Sequence, residues 1–304
     1  MKKILILLLT LLSACGFEDY DIQYGVTSVY FYNQEYNRNV VVGEGLGLKV
    51  GSMLTGVLKN DSDRLVKFAI NNELVTNPNQ SVLPSSLYTL DNENTFIIPK
   101  GEFVGFLGVK FDSAEFVNDP KAVSGEYVLP VEITSCDDVD SVNAVKKTIL
   151  VSVSYWAKQH GNYYYSGRTI RKEEGSIVDT LEYMNNSANS ESVRQLITVN
   201  ANTLELHPDG TGISNDPGKG SFSFNIDVPT FGGGDVGISP SSNSNIVVEA
   251  DGISSYVEDI KTFYLNYTWN DGVYDCYSTD TLVFRNRVRD VQADGQGVNE
   301  WRGF

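Results

Sequence analysis

The chain has 304 residues, of which 41% are hydrophobic and 20% charged, and its formal net charge is −16. This length is sufficient for two hydrophobic cores, so two domains are expected. The excess of acidic residues disfavours nucleic acid and anionic lipid headgroups as partners, because both would be repelled by an acidic surface.

The chain begins with a basic and then an apolar segment. Met1-Lys2-Lys3 precedes the apolar run 4–12, which is too short to cross a bilayer and is typical of a secretory signal peptide. Leu12-Ser13-Ala14-Cys15 then resembles the bacterial lipobox, which implies cleavage before Cys15 and acylation of its thiol. Acyl chains on Cys15 would anchor the protein to a membrane. The alternative is an ordinary cleavage site with a bystander cysteine.

An acidic stretch, residues 16–24, follows the cysteine and is predicted to be a tether. Its Glu18, Asp19 and Asp21 resemble the export signal that sends lipoproteins of Bacteroidetes to the exterior of the outer membrane. The resemblance therefore implies an outer-membrane lipoprotein that faces the cell exterior, with the rest of the chain as its ectodomain.

Residues 25–156 alternate apolar and polar side chains with the period of two that is typical of half-buried strands. Clusters of Asn, Asp, Gly and Ser divide them into short segments, which predicts an immunoglobulin-like β-sandwich. One helical turn is expected at 114–118, ended by Asp119-Pro120. The predicted strands are 26–32, 47–58, 65–70, 95–98, 103–111, 127–134 and 148–156.

Three motifs in this half also resemble a known family. Leu83-Pro84 with Tyr88, Ile98-Pro99-Lys100-Gly101 and Tyr127-Val128-Leu129-Pro130-Val131 resemble the N-terminal domain of unknown function of many Bacteroidetes surface lipoproteins. In some members this domain precedes a family-18 glycoside hydrolase barrel. The resemblance covers roughly residues 25–155, and its motifs imply a fold rather than a chemistry.

The polar segment 157–161 is the predicted boundary before a second all-β domain at 161–304. Sequential hairpins close most easily into an up-and-down barrel, so a meander β-barrel or sheet is expected, and Gly161-Asn162-Tyr163 resembles a lipocalin-like first strand. Gly232 to Asn245 is predicted to be a long mobile loop. The predicted strands are 163–171, 177–184, 193–200, 203–207, 221–228, 246–250, 261–269, 273–277 and 281–288.

The end of the chain extends the family resemblance. Leu282 to Arg287 and Glu300-Trp301 resemble the C-terminal domain of unknown function that is commonly paired with the first domain in those lipoproteins. The pair implies a glycan-binding lipoprotein of the starch-utilisation type. Its implied partners are an oligo- or polysaccharide and a porin-like transporter complex.

Residues of known catalytic motifs are not found in the sequence. The nearest approach to the acidic run of a family-18 glycosidase is Cys136-Asp137-Asp138-Val139-Asp140, which lacks the general-acid Glu. His160 and His207 have no sequence partners for a nucleophile or a zinc site, and Cys136 and Cys276 are predicted to be free core thiols. No catalytic residue, metal or cofactor is therefore predicted, although an enzyme built from scattered carboxylates would leave no local signature.

The candidate glycan-binding residues lie in a hairpin of the second half. If Asp271-Gly272 makes a two-residue turn, Asn270 pairs with Val273 and Trp269 lies opposite Tyr274. Both rings would then sit beside the turn, flanked by Asn270 and Asp271, where an aromatic face can stack on a sugar ring. The alternative is that the rings only cap the core. Trp301 is the second candidate.

These observations predict a non-catalytic surface lipoprotein that binds glycan for a polysaccharide uptake system. The alternative is an adhesin or a pilus-like structural subunit, which the same secreted all-β character would serve.

Overall fold

The computed structural model describes residues 25–112, 114–183, 193–208, 222–292 and 294–301. The predictions of signal-peptide cleavage, of lipidation at Cys15 and of an acidic tether fall on residues outside these ranges. Strands dominate the described residues, which form three β-sheets. No helix within these ranges is long and apolar enough to cross a membrane.

The first half is a sandwich of two sheets. Its two α-helical turns are α1 (Glu115–Asn118) and α2 (Pro120–Ser124), and its two 3₁₀ helices are Asn72–Leu74 and Ser85–Leu87. The strands are β1 (Ser28–Phe31), β2 (Glu35–Val41), β3 (Gly47–Thr55), β4 (Arg64–Ile70), β5 (Ser81–Val82), β6 (Tyr88–Leu90), β7 (Thr95–Ile98), β8 (Val104–Phe111), β9 (Tyr127–Cys136), β10 (Ser141–Val142) and β11 (Thr148–Trp156).

The two sheets have the strand orders β10-β1-β3-β8-β6 and β2-β11-β9-β4-β7, with β5 added beside β9. Alternate side chains of each strand point into one apolar core, as Val29, Leu107, Leu129 and Val153 show. The sequence pattern therefore predicted the β-sandwich correctly.

Asp119-Pro120 both ends one helical turn and begins the next. The Asp119 side chain accepts a hydrogen bond from the backbone N–H of Lys121, at 2.9 Å. Pro120 occupies the first helical position, where the N–H that proline lacks would have no partner within the helix. The prediction of one turn was thus incomplete. Gly125, with φ at 77°, ends α2 in the left-handed conformation.

The second half is a closed barrel. Its strands are β12 (Gly161–Glu173), β13 (Ser176–Tyr183), β14 (Val193–Asn200), β15 (Thr203–Leu206), β16 (Phe224–Asp227), β17 (Gly234–Pro240), β18 (Val248–Ala250), β19 (Ser254–Val257), β20 (Thr262–Asn270), β21 (Asp275–Arg289) and β22 (Val298–Trp301). Within the described residues, strands β12, β14, β15, β16, β17, β19, β20 and β21 pair in that order, and β21 pairs with β12 to close the ring. The expected meander barrel is confirmed.

Two assignments in the barrel were wrong, and the short strands β19 and β22 were not predicted. The predicted mobile loop 232–245 contains β17, which is hard to identify because Val236 is its one fully buried hydrophobic residue. The predicted pair of strands 273–277 and 281–288 is a single strand, β21. Its inward residues Ser278 and Asp280 are buried but polar. The alternation of apolar residues therefore breaks at these positions, although the strand continues through them.

The segment between the sandwich and the barrel is buried. Ala157, Gln159 and His160 are each 5% exposed or less, and the His160 ring stacks on Trp156 with centroids 3.8 Å apart. Burial, with a smaller contribution from the charge of Arg287, lowers the pKa of His160 to about 3. The polar sequence of this segment therefore belongs to an interface between two cores, while the domain boundaries 25–156 and 161–304 stay a prediction.

Both cysteines of the described residues are free thiols. Cys276 is fully buried in the barrel, as predicted, and burial raises the pKa of its thiol to about 12. Cys136 was also predicted to be in the core but is only half-buried, because it is the last residue of β9.

Candidate functional site

The predicted glycan-binding hairpin has a different register from the one expected. Trp269 pairs with Cys276 and Asn270 with Asp275, so residues 271–274 form the loop. The Asp271 carboxylate accepts hydrogen bonds from the backbone N–H groups of Val273, at 2.8 Å, and Tyr274, at 2.7 Å. The prediction of a two-residue turn was wrong, because this side chain stabilises a wider loop.

Trp269 is a core residue rather than a residue of the barrel mouth. Its side chain is 5% exposed, its ring lies 4.9 Å from that of Phe222, and its Nε1 donates a hydrogen bond of 3.0 Å to the Ser278 hydroxyl. The expected exposure was wrong because the inward alternation of Phe263, Leu265 and Tyr267 extends to this position.

The other candidate residues have separate positions. Tyr274 is half-buried, with the Arg171 guanidinium 5.0 Å from its ring centroid, and Asn270 is exposed but its side-chain oxygen accepts from the Gly272 N–H at 2.7 Å. Glycan binding at this hairpin stays a prediction, and its stacking ring would be Tyr274. Trp301 ends β22, where its backbone pairs with Asn286.

The centre of the barrel holds a buried carboxylate that the sequence analysis did not identify. Asp280 is fully buried and accepts hydrogen bonds from the hydroxyls of Tyr165 and Tyr267, both at 2.6 Å, and from that of Tyr183. Burial raises the pKa of Asp280 to about 6, and the three tyrosine hydrogen bonds partly oppose this rise. Space for the carboxylate is provided by Gly167 on the neighbouring strand, where a Cβ would collide with the Asp280 side chain.

This tyrosine–aspartate cluster stabilises the barrel interior, because its polar atoms are partners of one another and the carboxylate does not meet solvent. A signal for it exists in the sequence. Leu282 and Phe284 point inward, so an acidic residue two positions earlier in the same strand must also be inward and must find donors.

A cavity of about 350 Å³ lies where the sandwich meets the barrel. The sandwich contributes Glu44, from the β2–β3 loop, and the barrel and the segment before it contribute the remaining lining. The segment contributes Lys158, and the barrel contributes three aromatic rings and four charged side chains: Tyr163, Tyr256 and Phe284, and Glu258, Lys261, Arg287 and Glu300. Its volume is in the range of small-molecule sites.

The carboxylates that line this cavity are all paired. Lys158 forms an ion pair with Glu258. Arg287, which is almost completely buried, contacts Glu44 and Glu300 at 2.6 Å each, and Arg289 contacts the same two at 2.9 and 2.8 Å. Burial alone would lower the pKa of Arg287, but the hydrogen bonds to the two carboxylates raise it. This network joins the sandwich to the barrel.

Two donors in the cavity lining have no such partner. The Lys261 ammonium lies 5.2 Å from the Phe284 ring centroid, and no carboxylate of the described residues lies within 4 Å of it. Tyr256 is 5% exposed, and its hydroxyl makes no hydrogen bond to any described residue. Burial, and then the charge of Glu258, raises the pKa of Tyr256 to about 12, so the hydroxyl is a donor at neutral pH.

This cavity could not be identified from the sequence because its residues are distant along the chain. Glu44 and Arg287 are more than 240 residues apart, and Glu44 belongs to no local motif. Arg287 was noted as part of the Leu282–Arg287 motif, but its partner could not be identified without the fold.

The comparisons with known proteins identify relatives of the fold. A family model described as "-like, N-terminal domain" matches residues 22–140. A protein of unknown function from Bacteroides ovatus is similar in structure, with a TM-score of 0.69 and 21% identity over 86% of this chain and 95% of its own. Among curated protein sequences, no significant match is found.

Two other solved structures are similar at lower scores. One is a second protein of unknown function from Bacteroides ovatus, with a TM-score of 0.48 and 14% identity over 90% of this chain and 99% of its own. The other is an auxiliary nutrient binding protein from Bacteroides thetaiotaomicron, with a TM-score of 0.46 and 15% identity over 84% of this chain and 92% of its own. The N-terminal part of the chain thus matches a family of N-terminal domains, and the first Bacteroides ovatus structure shares the fold of most of the chain.

Proposed function

We propose that this protein is a non-catalytic lipoprotein of the outer-membrane surface that binds glycan for a polysaccharide uptake system. The binding site in this proposal is the cavity between the sandwich and the barrel. The observation that carries it is the presence of two unpartnered donors, Lys261 and Tyr256, in a cavity with aromatic walls.

The lining of the cavity suits the two kinds of surface that a sugar has. A sugar ring presents apolar C–H faces, which pack against aromatic side chains such as Phe284 and Tyr256. It also presents hydroxyl and ether oxygens, which accept hydrogen bonds from donors such as the Tyr256 hydroxyl. A volume of about 350 Å³ supports the binding of a short glycan end rather than a long chain.

The same lining supports binding rather than hydrolysis. A glycosidase needs two carboxyl groups, one as acid and one as base or nucleophile. Glu44, Glu258 and Glu300 each form an ion pair, so the described lining contains no unpaired carboxylate for either role. The proposed function is therefore capture.

Attachment to the membrane is the part of the proposal that rests on the sequence. Lipidation of Cys15 would leave the acidic residues 16–24 as the link to the sandwich, with the glycan-binding cavity beyond it. A porin-like transporter is the partner that such an uptake system would supply. Substitution of Cys15 by Ala should release the protein from membranes on detergent phase partition, and protease treatment of whole cells should degrade the native protein if it faces the exterior.

The test of glycan capture is a glycan array probed with the mature protein in detergent, followed by calorimetric titration of the glycans that bind. Substitution of Tyr256 by Phe should weaken binding severalfold, because one donor is lost while the ring remains. Tyr264→Phe is the matched control, since Tyr264 lies on the outer face of β20. Filaments of the purified protein with no glycan binding would favour the adhesin or pilus-like alternative instead.

A further inference from the structure

The backbone of Lys261 is held by hydrogen bonds on both sides. The Lys261 N–H donates to the Glu258 carbonyl at 3.0 Å, and its own carbonyl accepts from the Phe284 N–H at 3.0 Å. Its φ of 47° places it in the left-handed region, which a lysine seldom adopts. These hydrogen bonds thus hold an uncommon backbone conformation at the residue whose ammonium lies over the Phe284 ring.

The charged side chains of the cavity lining are three carboxylates and three cations, but Arg289 beside the cavity also pairs with two of the carboxylates and one lining cation is left without a partner. Three carboxylates, Glu44, Glu258 and Glu300, share their ion pairs with the cations Lys158, Arg287 and Arg289. Among the described residues, Lys261 is a further cation of the lining with no carboxylate within 4 Å. The unpaired charge in the described lining is therefore positive, although the net charge of the whole chain is −16.

Tyr256 supplies a second and independent observation. Most of the Tyr256 side chain is buried, but its hydroxyl oxygen remains accessible to solvent at the cavity. The Tyr256 hydroxyl has no hydrogen-bond partner among the described residues, and its side chain lines the same cavity as Lys261. A ligand in the cavity can therefore accept its hydrogen bond.

We infer that the cavity selects a glycan end that carries a carboxylate, such as a uronic acid, with the Lys261 ammonium and the Tyr256 hydroxyl as its donors. This inference rests on the proposed function, since it names the class of sugar that the cavity takes. A carboxylate has two oxygens that can each accept one of these donors, and a hydrogen bond between charged groups is roughly twice as strong as a neutral one. A neutral sugar would leave the ammonium without a counterion.

The net negative charge of the protein does not oppose this selection at short range. Exposed charges farther away than the Debye length, about 8 Å at physiological ionic strength, are largely screened. A ligand carboxylate in the cavity is in direct contact with its partners, and the nearest carboxylates are already neutralised by ion pairs.

The experiment is a calorimetric titration of the full mature protein with matched oligosaccharides that differ only at C6 of the terminal sugar, hydroxymethyl in one and carboxylate in the other. The carboxylate form should bind at least about tenfold more tightly, which is the effect of one charge-assisted hydrogen bond. Lys261→Gln should abolish the preference, Lys261→Arg should retain most of it, and each variant should keep the native circular dichroism spectrum. Lys172→Gln is the matched control, because Lys172 also lies over an aromatic ring, that of Tyr277 at 3.8 Å.

The outcomes separate the two proposals. Equal or tighter binding of the neutral form would overturn the inference and leave glycan capture intact, whereas binding of neither form, nor of any glycan on the array, would overturn both. Tighter binding of a C6-sulfated form than of the carboxylate would overturn the choice of carboxylate. An unchanged preference in Lys261→Gln would overturn the role of Lys261.

Discussion

The sandwich and the barrel are both all-β, but their interiors are chemically different. The sandwich core consists of Val, Leu, Ile, Phe and Tyr side chains, and its fully buried polar residues are few among those described: Ser28, Ser52, Asn60 and Arg64. The barrel interior buries a carboxylate, that of Asp280, together with the tyrosine hydroxyls that bind it. A second buried carboxylate, Glu205, alternates with the inward Leu204 and Leu206 and so lies on the outer side of the sheet, where serine hydroxyls and the Asn243 amide bind it. Closure of the sheet produces this difference.

Two sheets packed face to face can bring complementary apolar surfaces together over their whole area. In a closed barrel the inward side chains of opposite strands meet at the axis, and long side chains such as tyrosine place their hydroxyls there. The hydroxyls of Tyr165, Tyr183 and Tyr267 meet in this way, and the Asp280 carboxylate accepts a hydrogen bond from each of them. The barrel interior is thus specified by hydrogen bonds as well as by volume, whereas the sandwich interior depends on packing.

The largest effect should come from a substitution that fills the space beside Asp280. In Gly167→Ala the new Cβ would collide with the Asp280 side chain and lie 2.5 Å from the Thr279 carbonyl oxygen. We expect a loss of about 4 kcal/mol or failure to fold, since neither strand of the pair can move away. Gly25→Ala is the control because nothing lies within 4 Å of its Cβ, and urea unfolding of both variants measures the difference. Similar stabilities would show that the barrel accommodates the methyl group.

A truncation in the sandwich should have the next largest effect and should not depend on pH. Leu129 is fully buried in β9, among the apolar side chains of the sandwich core. Leu129→Ala should lower the free energy of unfolding by about 3 kcal/mol through lost burial and a residual cavity. Equal losses at pH 5 and pH 7.5 are expected, and a loss that changes with pH would contradict the description of this core as apolar.

The contrast between the interiors also explains which features could be predicted from the sequence. Alternation identified seven sandwich strands, because their inward residues are apolar, but it missed the short strands β5, β6 and β10 and the polar β2. In the barrel it identified β20 through Phe263, Leu265, Tyr267 and Trp269. It failed at β21, where Asp280 and Ser278 are buried but polar, and at β17, whose glycine content hides the period. The rule that reads hydrophobicity as burial fails where a barrel buries hydrogen-bonded polar groups.

The candidate site was less predictable than the fold. The hairpin prediction depended on loop length, and one hydrogen-bonding side chain, that of Asp271, changed the register and placed Trp269 opposite Cys276. The cavity depends on contacts between Glu44 and Arg287, which only the packing of the sandwich on the barrel brings together. Chemistry that arises from long-range packing leaves no local spacing to detect.

The pH dependence of stability should distinguish the barrel core from the sandwich core. The pKa of Asp280 is about 6 in the folded protein against an ordinary value of 3.8, so the folded state holds this proton more tightly. The contribution of Asp280 to stability is therefore greatest below about pH 4 and is lost as the pH rises through 6. We expect the native protein to lose about 2 kcal/mol relative to Asp280→Asn between pH 4 and pH 7, measured by urea unfolding of both proteins. Parallel stability curves would show that Asp280 does not titrate in this range.

The smallest effect, and the sharpest comparison, comes from two tyrosine hydroxyls with different acceptors. Tyr267 donates to the Asp280 carboxylate at 2.6 Å, whereas Tyr155, at the end of the sandwich, donates to the backbone carbonyl of Ala201 at 3.0 Å. Both side chains are almost fully buried, so replacement of each by Phe removes one hydroxyl from a similar environment. Tyr155→Phe should lower the free energy of unfolding by about 1 kcal/mol at any pH.

Tyr267→Phe should depend on pH, because the charge of its acceptor does. Above pH 6 the variant loses a hydrogen bond to a charged carboxylate, worth about 2 kcal/mol, and below pH 4 it loses only a neutral one, worth about 1 kcal/mol. Because Tyr267 lowers the pKa of Asp280 by its hydrogen bond, the midpoint of the pH dependence should also move upward in the variant. If Tyr267→Phe and Tyr155→Phe lower the free energy of unfolding equally at pH 4.5 and at pH 7.5, the tyrosine–aspartate cluster carries no charge. The barrel interior would then be stabilised by neutral contacts, as the sandwich core is.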